Sequence, residues 1–258
     1  MADPSAPSER PRLTFFFPAY NEQENVEETV RRALDEIGPL VPSLEVLIVD
    51  DGSTDRTPEL ADALVAADAR VRVVHQRNRG YGGALKAGFE GAWAELICFS
   101  DGDLQFDLRQ MSLLLDRLAD TTKPVDAVIG YRLRRMDPFH RIFIAKTYNA
   151  IVSVAFGLRV RDIDCAMKLF RREVFDGLRL DAEGPFLSAE MLVKLRARGV
   201  RMAQVGVNHY PRAAGTNTGA SFRKILRTFG DLARLRWALW TNRDAVLGTR
   251  PGSAEAES

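Results

Sequence analysis

The sequence predicts an α/β protein organised around a doubly wound, mainly parallel sheet. The first observation is rhythm. Short apolar runs recur between residues 13 and 129, separated by stretches whose apolar positions follow helical spacing. The second is where those runs stop. Leu96 to Phe99 leads through Ser100 into Asp101-Gly102-Asp103, and earlier runs lead into Pro18-Ala19-Tyr20-Asn21-Glu22 and Asp50-Asp51-Gly52-Ser53. Carboxylates at strand carboxyl ends sit where open α/β sheets bind ligands. The third is size: 258 residues fill one such domain, with no internal repeat and no second apolar core.

Each element has its own signal. Leu13 to Phe17 is an apolar strand, followed by a helix with Val26, Val30, Ala33, Leu34 and Ile37 on one face. Val46 to Val49 is the second strand. Thr57 as N-cap and Pro58 in the first turn open a helix carrying Leu60, Leu64 and Ala67. Val71 to Val74 is a strand, Gly80 to Trp93 a helix, and Leu96 to Phe99 the fourth strand. Asp107 caps a helix bearing Met111, Leu114, Leu115 and Leu118, and Ala127 to Ile129 is a further strand. Beyond Gly130 the chain turns basic, with Arg132, Arg134, Arg135 and Arg141 around Asp137-Pro138. A helix over about Ile142 to Leu158 follows, and Ser221 to Trp240 forms a last one. That helix sets Phe222, Ile225, Phe229, Trp237 and Trp240 among Arg223, Lys224, Arg227, Arg234 and Arg236. Basic amphipathic helices with Trp suit a membrane interface, although packing on the sheet explains either helix alone.

Composition narrows the function. Thirty-six Lys and Arg offset 35 Asp and Glu, leaving a net charge of +1, so a general nucleic-acid binder is excluded and basic surface must be local. Cys98 and Cys165 lack paired spacing and read as core thiols of a reducing compartment. Thr147 to Leu158, the longest uncharged stretch, is too short to span a bilayer. Residues 1–11 lack an apolar core of the kind a secretory signal has, and they and residues 244–258 read as disordered tails. Between them, 12–243 form one domain. Within it, 130–158 make a basic loop plus amphipathic helix, and 221–241 the C-terminal basic helix.

The acids suit two different tasks. At neighbouring strand ends, Asp50 and Asp51 can accept from ribose hydroxyls or a base. Asp101 and Asp103, two hard oxygen donors one residue apart, can grip Mg²⁺ or Mn²⁺ and leave positions open for phosphate oxygens. That division describes a site for a nucleotide-diphosphate sugar, in which metal and fixed cations stabilise the departing diphosphate. Gly80-Tyr81-Gly82-Gly83-Ala84-Leu85 superficially matches a dinucleotide fingerprint, but it follows the third strand and ends in Leu, and no P-loop is present.

Taken in order, Phe17-Pro18-Ala19-Tyr20-Asn21-Glu22, Val49-Asp50-Asp51-Gly52-Ser53-Thr54-Asp55, Asn78-Arg79-Gly80-Tyr81-Gly82-Gly83-Ala84 and Asp101-Gly102-Asp103-Leu104-Gln105 resemble the signatures of GT-A fold family 2 glycosyltransferases. Asp162-Ile163-Asp164-Cys165-Ala166-Met167-Lys168-Leu169-Phe170 and His209-Tyr210-Pro211-Arg212 are similar to the dolichol- and polyprenyl-phosphate mannosyltransferase branch. The resemblance spans about Leu13 to Trp240. It implies a hexose, mannose foremost, moved with inversion from a nucleotide-diphosphate sugar (GDP-mannose or a UDP-hexose) to a polyprenyl or dolichyl phosphate. By that likeness Pro18, Tyr20, Glu22 and Asp50 or Asp51 line the nucleoside pocket. Asp101, Asp103 and Gln105 hold metal and donor sugar, with Asp101 and Asp103 as the metal ligands. Arg132 and Arg141 meet the lipid phosphate, and Arg212 the donor phosphates.

The chain departs from many relatives in having Ala145-Lys146 where they carry Ser-Arg, and in lacking C-terminal transmembrane helices. A cytoplasmic enzyme, peripheral to the membrane or soluble, is therefore expected. Two other readings fit parts of the sequence. A family 2 transferase with a soluble acceptor needs a carboxylate base, Glu190 or Asp164, whereas Glu190 also reads as a first-turn helix acid. A non-catalytic nucleotide-sugar-binding subunit has less need of the Asp101–Asp103 pair. Asp162 and Asp164 can serve simply to organise the loop into Cys165, His209 reads as a structural loop residue, and Lys168 as a surface lysine able to reach a phosphate.

Overall fold

The computed structural model describes residues 12–133, 139–184, 186–212 and 222–248. Strands β1 (Leu13–Ala19), β2 (Leu44–Asp50), β3 (Val71–His75), β4 (Leu96–Phe99), β5 (Ala127–Arg132), β6 (Lys168–Arg171) and β7 (Met202–Val207) form one sheet of order β3-β2-β1-β4-β6-β5-β7. All neighbours run parallel except β6, which is antiparallel to both β4 and β5. Helices α1 (Val26–Arg32), α2 (Thr57–Ala67), α3 (Gly80–Gly91) and α4 (Met111–Ala119) alternate with the first strands. After β5 come α5 (Phe139–Phe156), α6 (Leu187–Ala197), α7 (Phe222–Thr241) and α8 (Arg243–Leu247).

The expected fold class is present: the central strands β1, β2 and β4 are near-continuous apolar runs, as a sheet covered on both faces requires. Phe16 stacks on Phe99 at 5.5 Å between ring centroids and meets the edge of Phe89 of α3 at 5.1 Å. These rings fasten the strands that carry the site to the helix that flanks it.

Local expectations needed correction in four places. The first helix changes to a π turn at Ala33–Ile37 and a short 3₁₀ turn at Gly38–Leu40, where Pro39 cannot continue an α-helix. Thr57 is not the N-cap of α2. Arg56 takes that position without a side-chain capping bond; Asp55, one residue earlier, accepts from the Thr57 backbone N–H at 2.9 Å, while the Thr57 hydroxyl accepts from the Glu22 N–H at 2.9 Å. The sequence rhythm also missed β6 and β7. β6 is only four residues long and opens on a lysine, and β7 is a half-buried edge strand. Finally, α8 occupies the start of the stretch expected to be a disordered tail, because the buried Arg198 guanidinium donates from Nε to the Leu247 carbonyl at 2.9 Å. Residues 1–11 and 249–258, together with Arg134 and Arg135, lie outside the described residues, as do the side chains of Arg141, Arg223, Lys224 and Arg227. No helix among the described residues is long and apolar enough to cross a membrane.

Candidate active site

Strands β2, β1 and β4 are adjacent and parallel, so the loops after Asp50, Ala19 and Phe99 emerge side by side at one edge. Topology alone therefore brings the three acid-bearing turns together. Their side chains are set to different uses.

Asp50 and Asp51 are buried and committed to the protein. Asp50 accepts from the Ser53 N–H at 3.0 Å and pairs with His75 Nδ1 at 2.8 Å, which holds the imidazole pKa above its ordinary value. Asp51 Oδ1 accepts from Gln76 Nε2 at 2.6 Å and from the Arg79 backbone N–H at 2.8 Å. Glu22 is likewise engaged, by Asn25 Nδ2 at 2.6 Å and by an ion pair with Arg212. Tyr20 is exposed and Pro18 half-buried beside these groups, open to a ligand. Asn21 adopts a positive φ of 55° and accepts from the Thr54 N–H at 2.8 Å, tying the first loop to the second.

Asp101 and Asp103 are differently placed. Gly102 between them is buried against Phe17, and a Cβ there would lie 2.8 Å from Phe17 Cδ2 and 3.1 Å from the Pro18 carbonyl. Only glycine lets the loop pass this close to β1. Burial pushes both carboxyls above the usual range. For Asp103 the neighbouring Asp101 charge adds to that, bringing it to about 7. Asp101 accepts from the Tyr81 hydroxyl at 3.1 Å, and Arg212 Nη1 stands 3.8 Å from Asp103 Oδ2. Leu104, next in the chain, has a φ of 61°, which costs a non-glycine residue energy and persists only when its surroundings enforce it. They do so here. Gln105 Nε2 donates to the Tyr210 carbonyl at 2.9 Å, Tyr210 N–H returns a bond to the Gln105 carbonyl at 2.8 Å, and Phe106 bridges His209.

Two half-buried carboxylates that repel one another are a donor set suited to a divalent cation. Among the described residues no cluster of three or more His, Cys, Asp or Glu could complete its shell. Mg²⁺ held by one or two carboxylates, with phosphate oxygens and water filling the remaining positions, fits such an arrangement.

Beneath the acids lies Lys168, which is fully buried and not the surface lysine expected from sequence. It opens β6 opposite Phe99, lies 5.1 Å from that ring's centroid and donates to the Cys165 carbonyl. Burial lowers its pKa, opposed by the charges of Asp164, Asp162 and Asp101. Arg132, at the end of β5, makes a two-pronged pair with Asp162 at 2.7 and 3.0 Å. Glu190 is buried, and its oxygens accept from the Asp181 and Ala182 N–H groups at 2.9 and 2.8 Å and pair with Lys194 at 2.7 Å. It thus organises the 181–184 segment, whose Glu183 carbonyl receives the Gly82 N–H at 3.0 Å. A Cβ at Gly82 would fall 2.5 Å from the Glu183 carbonyl carbon, so this glycine-rich turn serves close packing. The sequence carried no signal that singled out Tyr81.

A sheet of this order with an acid pair at its carboxyl edge defines the GT-A class of α/β fold. Residues 14–179 match the Glycosyl transferase family 2 model, and the chain belongs to that family. Over 236 residues it is 36% identical to the glycosyltransferase AglD of Haloferax volcanii, covering 88% of this chain and 37% of AglD. Over 224 residues it is 30% identical to the undecaprenyl-phosphate 4-deoxy-4-formamido-L-arabinose transferase of Salmonella choleraesuis, covering 86% of this chain and 66% of that protein. The chain thus spans just over a third of one relative and just under two thirds of the other. In fold it resembles glucosyl-3-phosphoglycerate synthase from Mycobacterium tuberculosis. The complex with Mg²⁺ and uridine diphosphate superposes with a TM-score of 0.64 at 21% identity, covering 86% of this chain and 79% of the synthase. The complex with Mn²⁺, uridine diphosphate and glucosyl-3-phosphoglycerate gives a TM-score of 0.59.

Proposed function

We propose that this protein transfers a hexose from a nucleotide-diphosphate sugar to a polyprenyl phosphate, with mannose the leading candidate sugar and GDP-mannose or a UDP-hexose the donor. The observation that carries the reading is the half-buried, mutually repelling pair Asp101–Asp103 beside Arg212 at the sheet's carboxyl edge. Membership of glycosyl transferase family 2 supports the reaction class, and the undecaprenyl-phosphate relative supports the acceptor class.

In this reading Asp101 and Asp103 hold Mg²⁺ or Mn²⁺. A cation held by these two carboxylates would supply charge neutralisation for the donor's diphosphate as it departs. Arg212, held by Glu22, offers a fixed guanidinium to the same phosphates, and Gln105 positions the sugar-side loop through Tyr210. The exposed Tyr20 ring and half-buried Pro18 face the base, while Asp50 and Asp51 shape the ribose side through the loops they brace. Arg132, oriented by Asp162, and Arg141 receive the acceptor phosphate.

A phosphate acceptor arrives already anionic, so alignment and charge neutralisation suffice without a strong base. A single displacement inverts the anomeric carbon. This fits the fact that Glu190 is consumed by backbone amides and Lys194, leaving a soluble acceptor without that base.

The deciding experiment incubates the protein with Mn²⁺, a panel of nucleotide sugars, and either short-chain polyprenyl phosphate or soluble sugars. A lipid-linked product that forms only with polyprenyl phosphate supports the reading. Transfer only to a soluble acceptor, or to none, overturns it.

A further inference from the structure

The opposite edge of the sheet carries a second feature. A cavity of about 750 Å³ lies among the carboxyl-terminal ends of α5, α6 and α7 and the start of α8, lined by Arg196, Arg236 and Arg243 with Val154, Val200 and Leu239. Its position follows from the register. Val200 lies just before Met202, which opens β7 opposite Ala127, the first residue of β5, whereas the acids crown the far ends of the strands. The cavity is therefore separate from the candidate active site.

Three arginines line this cavity and, among the described residues, no carboxylate does. Elsewhere this protein pairs its arginines locally: Arg31 with Glu28, Arg70 with Asp68, and Arg201 with Asp126. Arg234, two residues before Arg236 on the same helix, is paired with Asp231 at 2.7 Å. None of the three cavity arginines has such a partner among the described residues. Arg243 is nonetheless fixed, donating from Nη2 to the Ala197 carbonyl at 2.8 Å. Charged, weakly hydrated forks held without a counter-ion match phosphate oxygens.

The rim says where that phosphate comes from. On α7, Arg236, Leu239 and Trp240 recur at helical spacing and share one face, with Trp237 beside them, and Arg243 opens α8 just beyond. Trp237 and Trp240 are 64% and 73% exposed and Val154 is 88% exposed, while the two indoles meet edge to face at 5.3 Å. Large apolar side chains left in water next to an unpaired cationic cavity form the pattern of a bilayer interface, where indoles settle at headgroup level. A soluble phosphate compound would leave these groups uncovered.

We propose that the Arg196–Arg236–Arg243 cavity binds the phosphate of an anionic phospholipid headgroup, with Trp237, Trp240 and Val154 entering the adjoining interface. The site is independent of whichever acceptor the active site takes.

The test is sedimentation with vesicles of phosphatidylcholine alone or mixed with phosphatidylglycerol, with no polyprenyl phosphate present. The protein binds the mixed vesicles more tightly, and added salt weakens that binding. Arg236→Gln, a residue with no hydrogen bond among the described residues, weakens it about fivefold, and replacement of all three arginines by Gln weakens it on the order of a hundredfold. Arg31→Gln, on α1, leaves it unchanged. Tryptophan emission shifts to the blue on binding in a Trp93→Phe background. Three outcomes overturn the proposal: equal binding to both vesicle types, full binding by the triple variant with an unchanged melting temperature, or inorganic phosphate that stabilises the wild type but not the triple variant while vesicles do not bind.

Discussion

Two acid pairs stand at neighbouring strand ends and look alike in sequence, yet the structure treats them in opposite ways. Asp50 and Asp51 follow β2 and are satisfied inside the protein, by His75, Gln76 and backbone N–H groups of Ser53 and Arg79. Asp101 and Asp103 follow β4. Burial raises both pKa values, their charges oppose each other, and their protein contacts are few. The first pair braces loops, and the second stores electrostatic demand that a cation would relieve. A pair of aspartates at a strand end thus carries no fixed role, because the donors aimed at it decide between scaffold and chemistry.

The comparison can be broken by substitution. The largest effect is expected from Asp103→Asn, which should lower Mn²⁺-dependent turnover by about a thousandfold, since losing metal stabilisation of a leaving diphosphate costs several kcal/mol. The melting temperature of the metal-free protein should hold or rise, because a buried like charge has been removed. Turnover within tenfold of wild type would remove Asp103 from the metal site.

Asp51→Ala should do the reverse. Leaving the Arg79 N–H and Gln76 amide unpaired should destabilise the fold by about 1–3 kcal/mol. At saturating donor, below the new melting point, kcat should change far less than in Asp103→Asn. Denaturant melts and steady-state kinetics measure the two halves of this contrast, and an unchanged melt would show that Asp51 is not a brace.

The smallest effect concerns His75, which faces Asp50 and, at 3.2 Å, Asp62. Its pKa is raised in the folded state, chiefly by the Asp50 hydrogen bond, so the folded protein binds its proton more tightly than the unfolded chain does. The resulting stability is fully present below the unfolded value of about 6.5 and is lost as pH rises through the higher folded value. His75→Gln should therefore lower the melting temperature near pH 6 and change little near pH 9. Because the imidazole is partly exposed, the loss should stay below about 1 kcal/mol. A deficit that grows with pH would reverse the assignment.

Much of the frame was legible before any coordinates. The alternation from Leu13 to Ile129 defined the parallel half of the sheet, and three polar turns at strand ends marked one crevice. The second half was harder to read for physical reasons. β6 runs against its neighbours, so no strand–helix alternation announces it, and β7 is a half-buried edge strand with weak apolar patterning. Lys168 defeated the rule that lysines face water, since its ammonium finds a carbonyl and an aromatic face inside. Glu190 read equally well as base or helix acid until both oxygens were seen to be occupied.

The sequence by itself determined the fold class, the family signatures and the residues gathered at the carboxyl edge, because local periodicity and parallel connectivity leave few alternatives. Tertiary structure alone decided which acids are engaged by protein donors, Asp50 and Asp51, and which keep few such contacts, Asp101 and Asp103. It also brought Arg196, Arg236 and Arg243, from α6, α7 and α8, around one cavity at the other edge. Hydrogen-bond satisfaction and desolvation depend on groups distant in the chain, and no linear pattern records which donor will finally meet which carboxylate.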